Sequence, residues 1–590
     1  MSDAIYTELR HFRTARGGVG LLPALLLLAS LGTANAQTPD QVGQWGPVLD
    51  WGIQGKHMTV LPTGKVLVWA TGDNARVWDP ATGTFQLTPA TFGDLHCGAQ
   101  ATLADGRTIA LGGVNVTPHI GTKVTGLFDP FSNTWTQGAP MNYGRWYGKA
   151  TTLSDGRVLV ASGDDQNSNR VLLPEIYDPI LNTWTVLSGA SRNQGLYPYM
   201  YLLPNGKVFE AGTGTTTAIL NLTGAGSWTS GPTNSFGSSG YAECGAMYGP
   251  GKILRAGGGD PAITNTSVID MTAASPVFRD VAPMAYPRRR HNVVILADGT
   301  LLAVGGTRSA DLESQAILAS EIWDPATEQW RTVASMTEAR MYHSAAVLLP
   351  DGRVVSAGGE ATGRVHAQVY SPPYLFKGAR PTLTSSPATA SYGTSFSIST
   401  PNASSISSVA VIRPSAVTHA IDMNQRYVPL AFTVGTNSLT VTAPANGNLA
   451  PPGYYLLVIK TSTGIPSVAA WLRLGSSASL SPGTITGRVT NAATSAALVG
   501  AAVSYSGGST TTNATGDYTL SNVSPGEIVV KAQAATFATT EQTVQVNAGS
   551  TVTVNFALSP PGSVLGKVTD SSTGLPIVGA TVTANGTSVL

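Results

Sequence analysis

The chain has 590 residues, 42% of them hydrophobic, too long for one domain and apolar enough for several cores. Charged residues make up only 11% and the formal net charge is +1, so no basic field exists to hold nucleic acid, which argues against that partner. Sixty-six glycines without the three-residue period of collagen read as turns between many short strands, and the class is all-β.

Arg10, Arg13 and Arg16 precede the apolar run GLLPALLLLASLG, and Ala34-Asn35-Ala36 has the small-x-small form of a cleavage site. A signal peptide over 1–36 is expected, with the mature chain starting near Gln37. That run is too short to span a membrane, and no other stretch approaches the roughly 18 apolar residues a span needs. The expected location is secreted, or in the cell envelope or periplasm.

Residues 37–378 carry a repeat. A Gly-containing turn recurs at Gly64, Gly106, Gly156, Gly206, Gly251, Gly299 and Gly352, at gaps of 42 to 53 residues, the period of four-stranded propeller blades. Each copy reads as a strand, an Asp-Gly or Asn-Gly turn, a second strand, a Gly-Gly, and a third strand ending in a motif such as LFDPFSNTW or IYDPILNTW. A seven-bladed kelch-type propeller is expected. Trp135, Trp184 and Trp330, at one phase of that motif, are expected to pack between blades. GQWGPVLDW, over 43–51, is expected as the extra strand that closes the ring.

Cys97, Tyr147 and His343 lie nine residues before Gly106, Gly156 and Gly352. Equivalent positions of a closed radial repeat converge on its axis, so these three propose a site although they are far apart in sequence. His291, His57 and Tyr197 share the phase approximately and read as channel lining. The other cysteine, Cys244, belongs to the fifth repeat, across the ring from Cys97 in the second. A disulfide needs Cα atoms within about 7 Å, so none is expected between them.

After the propeller the Gly-Gly phase disappears. Alternating segments SFSIST, SVAVIRP, LTVTAP, GYYLLVIK and AAWLRL indicate an Ig-like sandwich over 379–475. A linker, 476–482, leads to a second small sandwich over 483–559, whose opening is restarted 79 residues later by GSVLGKVTDSSTGLPIVGATVTA. That copy, 560–590, is too short to bury a core.

Four stretches within about 40–475 resemble the copper radical oxidases, the galactose oxidase and glyoxal oxidase family: HCGAQATLADGR, GRWYGKATTLSDGR, ARMYHSAAVLLPDGR and THAIDMNQR. The resemblance implies an early-set sandwich behind the propeller, one copper ion held by Tyr147, Tyr342, His343 and His419, and a Cys97–Tyr147 thioether that carries a tyrosyl radical. It also implies oxidation of an alcohol or aldehyde by O2, leaving hydrogen peroxide, with Tyr342 as general base and Tyr147 as hydrogen acceptor. Two-electron oxidation beside a metal that cycles by one electron needs such a second redox group. In galactose oxidases a tryptophan covers the cross-linked tyrosine and an arginine holds the sugar. Here GDDQNSNR at 163–170 has no aromatic and Pro198 stands where the arginine would fall, whereas RWY and LYP look like glyoxal oxidases. Small aldehydes or primary alcohols are therefore expected, with Trp146 and Tyr197 as candidate substrate contacts and Trp146 also a candidate shield. The tail modules resemble carboxypeptidase regulatory-like sandwiches, which leaves cell wall or glycan contact as a partner reading and a monomer as the assembly.

For Tyr342 and His343 to share a metal, their strand must end or bend, since neighbours in a strand face opposite ways. His419 can join only if a loop of the sandwich descends into the channel. A non-catalytic adhesin or glycan-binding scaffold is the alternative function, but it has no reason to place Cys97 in phase with Tyr147. None of the three phase residues is a carboxylate, which disfavours a hydrolase.

Overall fold

In the computed structural model, residues 37–590 are described except 116–119, 213, 235–243, 360–363, 476–482, 506–507, 524–525, 547–548, 561–564, 585–586 and 590. The expected signal peptide and linker lie outside the described residues. Among the described residues, antiparallel meanders follow one another in chain order: four are sheets of four strands, and the first, the fifth and the last belong to sheets of six, nine and five strands. In the first, His57–Val60, Val66–Trp69, Arg76–Trp78 and Phe85–Leu87 form a meander. Each sheet runs from a buried first strand to an exposed fourth: Lys149–Thr152 is wholly buried, whereas Thr183–Val186 alternates toward solvent. Several first strands contact their neighbours, as Lys149–Thr152 does Ala99–Thr102 and Met200–Leu202, and Ser344–Leu348 of the last sheet touches His57–Val60 of the first.

The last sheet draws its outer strand from the other end of the chain. Gln44–Trp45 and Leu49–Asp50 pair antiparallel with His366–Ser371, in registers Gln44↔Ser371 and Leu49↔Ala367. The expected closing strand is thus present, and it removes an open edge. The outer tryptophans each reach back to the preceding repeat. The indole N–H groups of Trp135, Trp184 and Trp228 donate to Thr88 O, Ala139 O and Ala190 O, each at 2.9 Å. Trp330 donates to Thr266 Oγ1 and Trp45 to Ala334 O, both at 3.0 Å. Inter-blade packing is therefore accompanied by a directed bond.

The sandwich has Ile406–Arg413 between Arg426–Leu430 and Gly453–Thr461, with Ser395–Ser399, Ser438–Thr442 and Phe432–Gly435 as the facing sheet. Val409, Val411, Leu439, Tyr455 and Leu457 fill the space between. One parallel pairing, Met247↔Arg426, joins it to the innermost strand of the fifth sheet. In the next module Gly483–Asn491 pairs with Asp517–Val523 and Phe556–Leu558 over a core of Ile485, Val503, Leu520 and Phe556. Of the final copy, Val582–Ala584 and Thr587–Val589 form a hairpin. No helix among the described residues is long and apolar enough to cross a membrane.

Two outcomes test this packing. Trp184→Phe keeps the ring and loses the bond to Ala139, which is expected to cost about 1 kcal/mol, with Trp184→Ala clearly worse. An unchanged thermal midpoint for Trp184→Phe overturns the inter-blade bond. His291 is fully buried, and desolvation lowers its pKa from 6.5 to about 3. The unfolded chain then binds a proton that the folded chain refuses, so this stability is complete above pH 6.5 and is lost as pH falls toward 3. Denaturation midpoints at pH 7 and pH 5 are expected to converge for His291→Met relative to wild type.

Candidate metal centre

Every inward residue nine positions before a turn glycine, among those with a side chain in the described segments, has a left-handed backbone: φ is 59° at Cys97, 64° at Tyr147, 46° at Tyr197, 55° at Arg290 and 63° at His343. Non-glycine residues avoid this region by roughly 1–2 kcal/mol, so the surroundings must impose it. Around Tyr147 they do so through Arg145, fully buried, whose guanidinium donates to Ser162 O at 2.7 Å, Leu173 O at 2.8 Å and Glu175 at 2.9 Å. Glu175 also accepts the Asn142 N–H at 2.7 Å, tying down the segment that leads in. Arg288 repeats the arrangement before Arg290, with Gly305 O, Ala319 O and Glu321. The Gly-Gly signature serves the same loops: a Cβ on Gly358, itself at φ +76°, would lie 2.5 Å from His343 O.

These turns resolve the difficulty at Tyr342 and His343. The strand begins only at Ser344, and the two rings stack at 3.9 Å and 30°.

His419 arrives from the sandwich on a hairpin. Ala416–Thr418 pairs antiparallel with His57–Val60 and turns through His419 and Ala420, at φ 53° and 65°, into Ile421–Asp422. The Ala420 N–H donates to Ser344 O at 2.9 Å, Lys149 Nζ to Asp422 O at 3.0 Å, and the Cys244 thiol to Ala420 O at 3.4 Å. Cys244 is thus a buried residue that steadies the hairpin, and neither it nor Cys97 forms a disulfide in the structure.

At the axis the Tyr147 and Tyr342 hydroxyls hydrogen-bond to each other. The His419 ring lies 5.0 Å from that of Tyr147, 5.2 Å from Tyr342 and 4.4 Å from His343. Cys97 Sγ is 3.7 Å from His343 Nε2, with the Tyr147 and Trp146 side chains beside it. Burial pushes this thiol up to about 12, so it has little thiolate character of its own. Trp146 stacks on Tyr147 at 4.6 Å and 28°.

Tyr197 corrects its expected role. It is fully buried, its ring is 4.9 Å from Tyr147, and its hydroxyl donates to Cys97 O at 2.8 Å, so it supports Cys97 and Tyr147 and offers no face to a substrate. Two residues went unnoticed in the sequence. Arg290 holds the phase that was given approximately to His291; its guanidinium lies 4.1 Å above the Tyr342 ring and 3.2 Å from Asp311. Counting nine back from Gly299 finds it. His96 brings another imidazole, its ring 5.5 Å from that of His343, and His96, Cys97 and His343 have donor atoms within 4.8 Å of one another.

A copper ion suits this set. His419 Nε2 is buried with no hydrogen-bond partner, while Nδ1 is engaged by the Thr418 hydroxyl at 2.6 Å. A bare imidazole nitrogen beside a second imidazole and two phenols is a donor set for tetragonal Cu(II).

Comparison with known proteins agrees. Residues 380–474 match the family "Galactose oxidase-like, Early set domain" and residues 484–559 the "Carboxypeptidase regulatory-like domain". A galactose oxidase from Gibberella zeae is 31% identical over 499 residues, 75% of this chain and 72% of that protein. The aldehyde oxidase GLOX of Vitis pseudoreticulata is 29% identical over 379 residues, 56% of this chain and 72% of that protein. The solved structure described as "Novel fungal alcohol oxidase with catalytic diversity among the AA5 family, in complex with copper" superposes with a TM-score of 0.67 at 27% identity, over 74% of this chain and 100% of that one. With its early-set sandwich and a relative matched over most of both lengths, the chain belongs to the galactose oxidase family of copper-dependent oxidases.

Proposed function

We propose that this copper oxidase acts through a tyrosyl radical on small aldehydes, taken as their hydrates, or on primary alcohols, and returns hydrogen peroxide from O2. The observation that carries the reading is the hydroxyl contact of Tyr147 and Tyr342 beside His343 and His419, with the Cys97 thiol against Tyr147. Tyr147, Tyr342, His343 and His419 would hold the copper. When bound, it supplies a one-electron acceptor and a Lewis acid for the substrate oxygen.

Tyr342 is the general base and takes the substrate hydroxyl proton at Oη. Tyr147, joined through a ring carbon to Cys97 Sγ, holds the second oxidising equivalent and takes the hydrogen atom from the substrate carbon. Forming that thioether removes two hydrogens, one from the thiol and one from the ring, with O2 as oxidant. Over a full turn the substrate loses two electrons and two protons, and O2 gains them as H2O2. Trp146, stacked on Tyr147, covers the radical face. Arg290 holds its guanidinium over the ring of Tyr342. Pro198, where galactose oxidases carry the sugar-holding arginine, supports small carbonyl hydrates and simple alcohols over galactose. The N-terminal signal sequence supports release from the cytoplasm.

Copper-loaded protein exposed to O2 is expected to lose two hydrogens in intact mass and to yield a Cys97–Tyr147 peptide that survives thiol reduction, since a thioether does not exchange. Free Cys97 in an active preparation overturns the cross-link. Tyr147→Phe is expected to abolish peroxide formation from every substrate while still binding copper. Tyr342→Phe is expected to form the oxidised radical yet turn over about 10²–10⁴-fold more slowly. Peroxide yield and radical absorption with small aldehydes, simple alcohols and galactose check both; wild-type turnover by Tyr147→Phe overturns the radical mechanism.

A further inference from the structure

We propose that Gln100, His57 and Thr418 form a hydrogen-bond relay that sets the tautomer and aim of His419, so that its Nε2 faces the centre without a proton. The inference rests on the reading of His419 as a copper ligand.

All four side chains are essentially buried, His57, Gln100 and Thr418 completely. The relay starts at Gln100, on the innermost strand of the second sheet. Its Nε2 faces two backbone carbonyls, Met58 O at 3.1 Å and Val417 O at 3.0 Å. Carbonyls only accept, so the amide orientation is unambiguous and Oε1 is the atom 2.9 Å from His57 Nδ1. An amide oxygen also only accepts, hence Nδ1 of His57 carries the proton. A backbone N–H faces its Nε2, so that nitrogen is bare and the ring is neutral.

That Nε2 accepts the Cys97 N–H at 3.2 Å, which fixes the backbone of the residue proposed to carry the thioether. The Thr418 hydroxyl lies 3.3 Å from the same nitrogen. Since His57 Nε2 has no proton to give, this contact is a hydrogen bond only when the hydroxyl proton points to it, sharing the lone pair with the Cys97 N–H. The hydroxyl oxygen is then left to accept at its other contact, His419 Nδ1 at 2.6 Å. His419 is therefore protonated on Nδ1 and bare on Nε2, the nitrogen that is buried without a partner. The pairing His57↔Thr418 places the two side chains side by side, and Trp69, stacked on His57 at 4.6 Å and 10°, keeps that ring in plane. Ligand imidazoles are generally oriented by such a bond on the second nitrogen, and its loss costs 10–100-fold in metal affinity.

The test is titration of the metal-free full chain with Cu(II) alone, read by dissociation constant and by the nitrogen coupling in the Cu(II) paramagnetic resonance spectrum. Thr418→Val is isosteric and lacks the hydroxyl; it is expected to bind Cu(II) about 10–100-fold more weakly with altered nitrogen coupling. Thr418→Ser restores the hydroxyl and is expected within about twofold of wild type. Gln100→Leu frees the His57 tautomer, losing also the bond to Val417 O, and is expected to weaken binding in the same direction. Wild-type affinity and spectrum in Thr418→Val and Gln100→Leu, or equal losses in Thr418→Val and Thr418→Ser, overturn the relay. Failure of the wild-type chain to bind Cu(II) instead overturns the ligand reading of His419.

Discussion

The centre depends on one strand pairing, that of Ala416–Thr418 with His57–Val60. Without it the propeller contributes two phenols and one imidazole on its axis and nothing covers them from the sandwich side. With it, His419 descends among Tyr147, Tyr342 and His343, and the first sheet gains two further strands at its inner edge. The same edge would otherwise present unpaired backbone groups in a buried channel, which proteins rarely tolerate. Filling the channel and completing the proposed ligand set are therefore a single structural event.

A second constraint is local. Strand geometry would send alternate residues to opposite faces, so a ring of inner strands cannot by itself aim several adjacent side chains at one point. Left-handed residues ahead of five of the inner strands, Cys97, Tyr147, Tyr197, Arg290 and His343, solve this. They rotate their side chains toward the axis, and the buried Arg145–Glu175 and Arg288–Glu321 pairs hold two of the entering loops against that strain. Glycines where neighbouring loops pass leave the room required.

How much of this was legible follows from what a repeat can reveal. A fixed offset from a turn glycine exposes anything that recurs, which is why Cys97, Tyr147 and His343 stood out, and why the outer tryptophans and the closing strand near Trp45 were readable. Arg290 obeys the same offset and was missed because the more familiar ligand type, His291, lies beside it. Tyr342 and His419 obey no offset: one sits a residue away from the phase, the other in a different domain, and only the family likeness pointed to them. Tyr197 was readable in position but not in role, since the direction of a hydroxyl toward Cys97 O depends on the packed neighbours. The Gln100–His57–Thr418 bonds join three segments with no sequence signal in common, and no periodicity announces them.

The distances along the chain carry one more consequence, for the order of assembly. Thr418 and His57 are separated by 361 residues, and Gln368 reaches Gly46 O across 322. During synthesis the first sheet emerges long before either its sandwich partner or the last sheet exists. Contacts so remote in sequence pay the largest loop-closure entropy and form late. The four proposed ligands thus become a set only when the ring has shut and the sandwich has docked. Copper capture by this chain reports completed maturation, and a metal that binds only the finished fold also locks it in place by mass action.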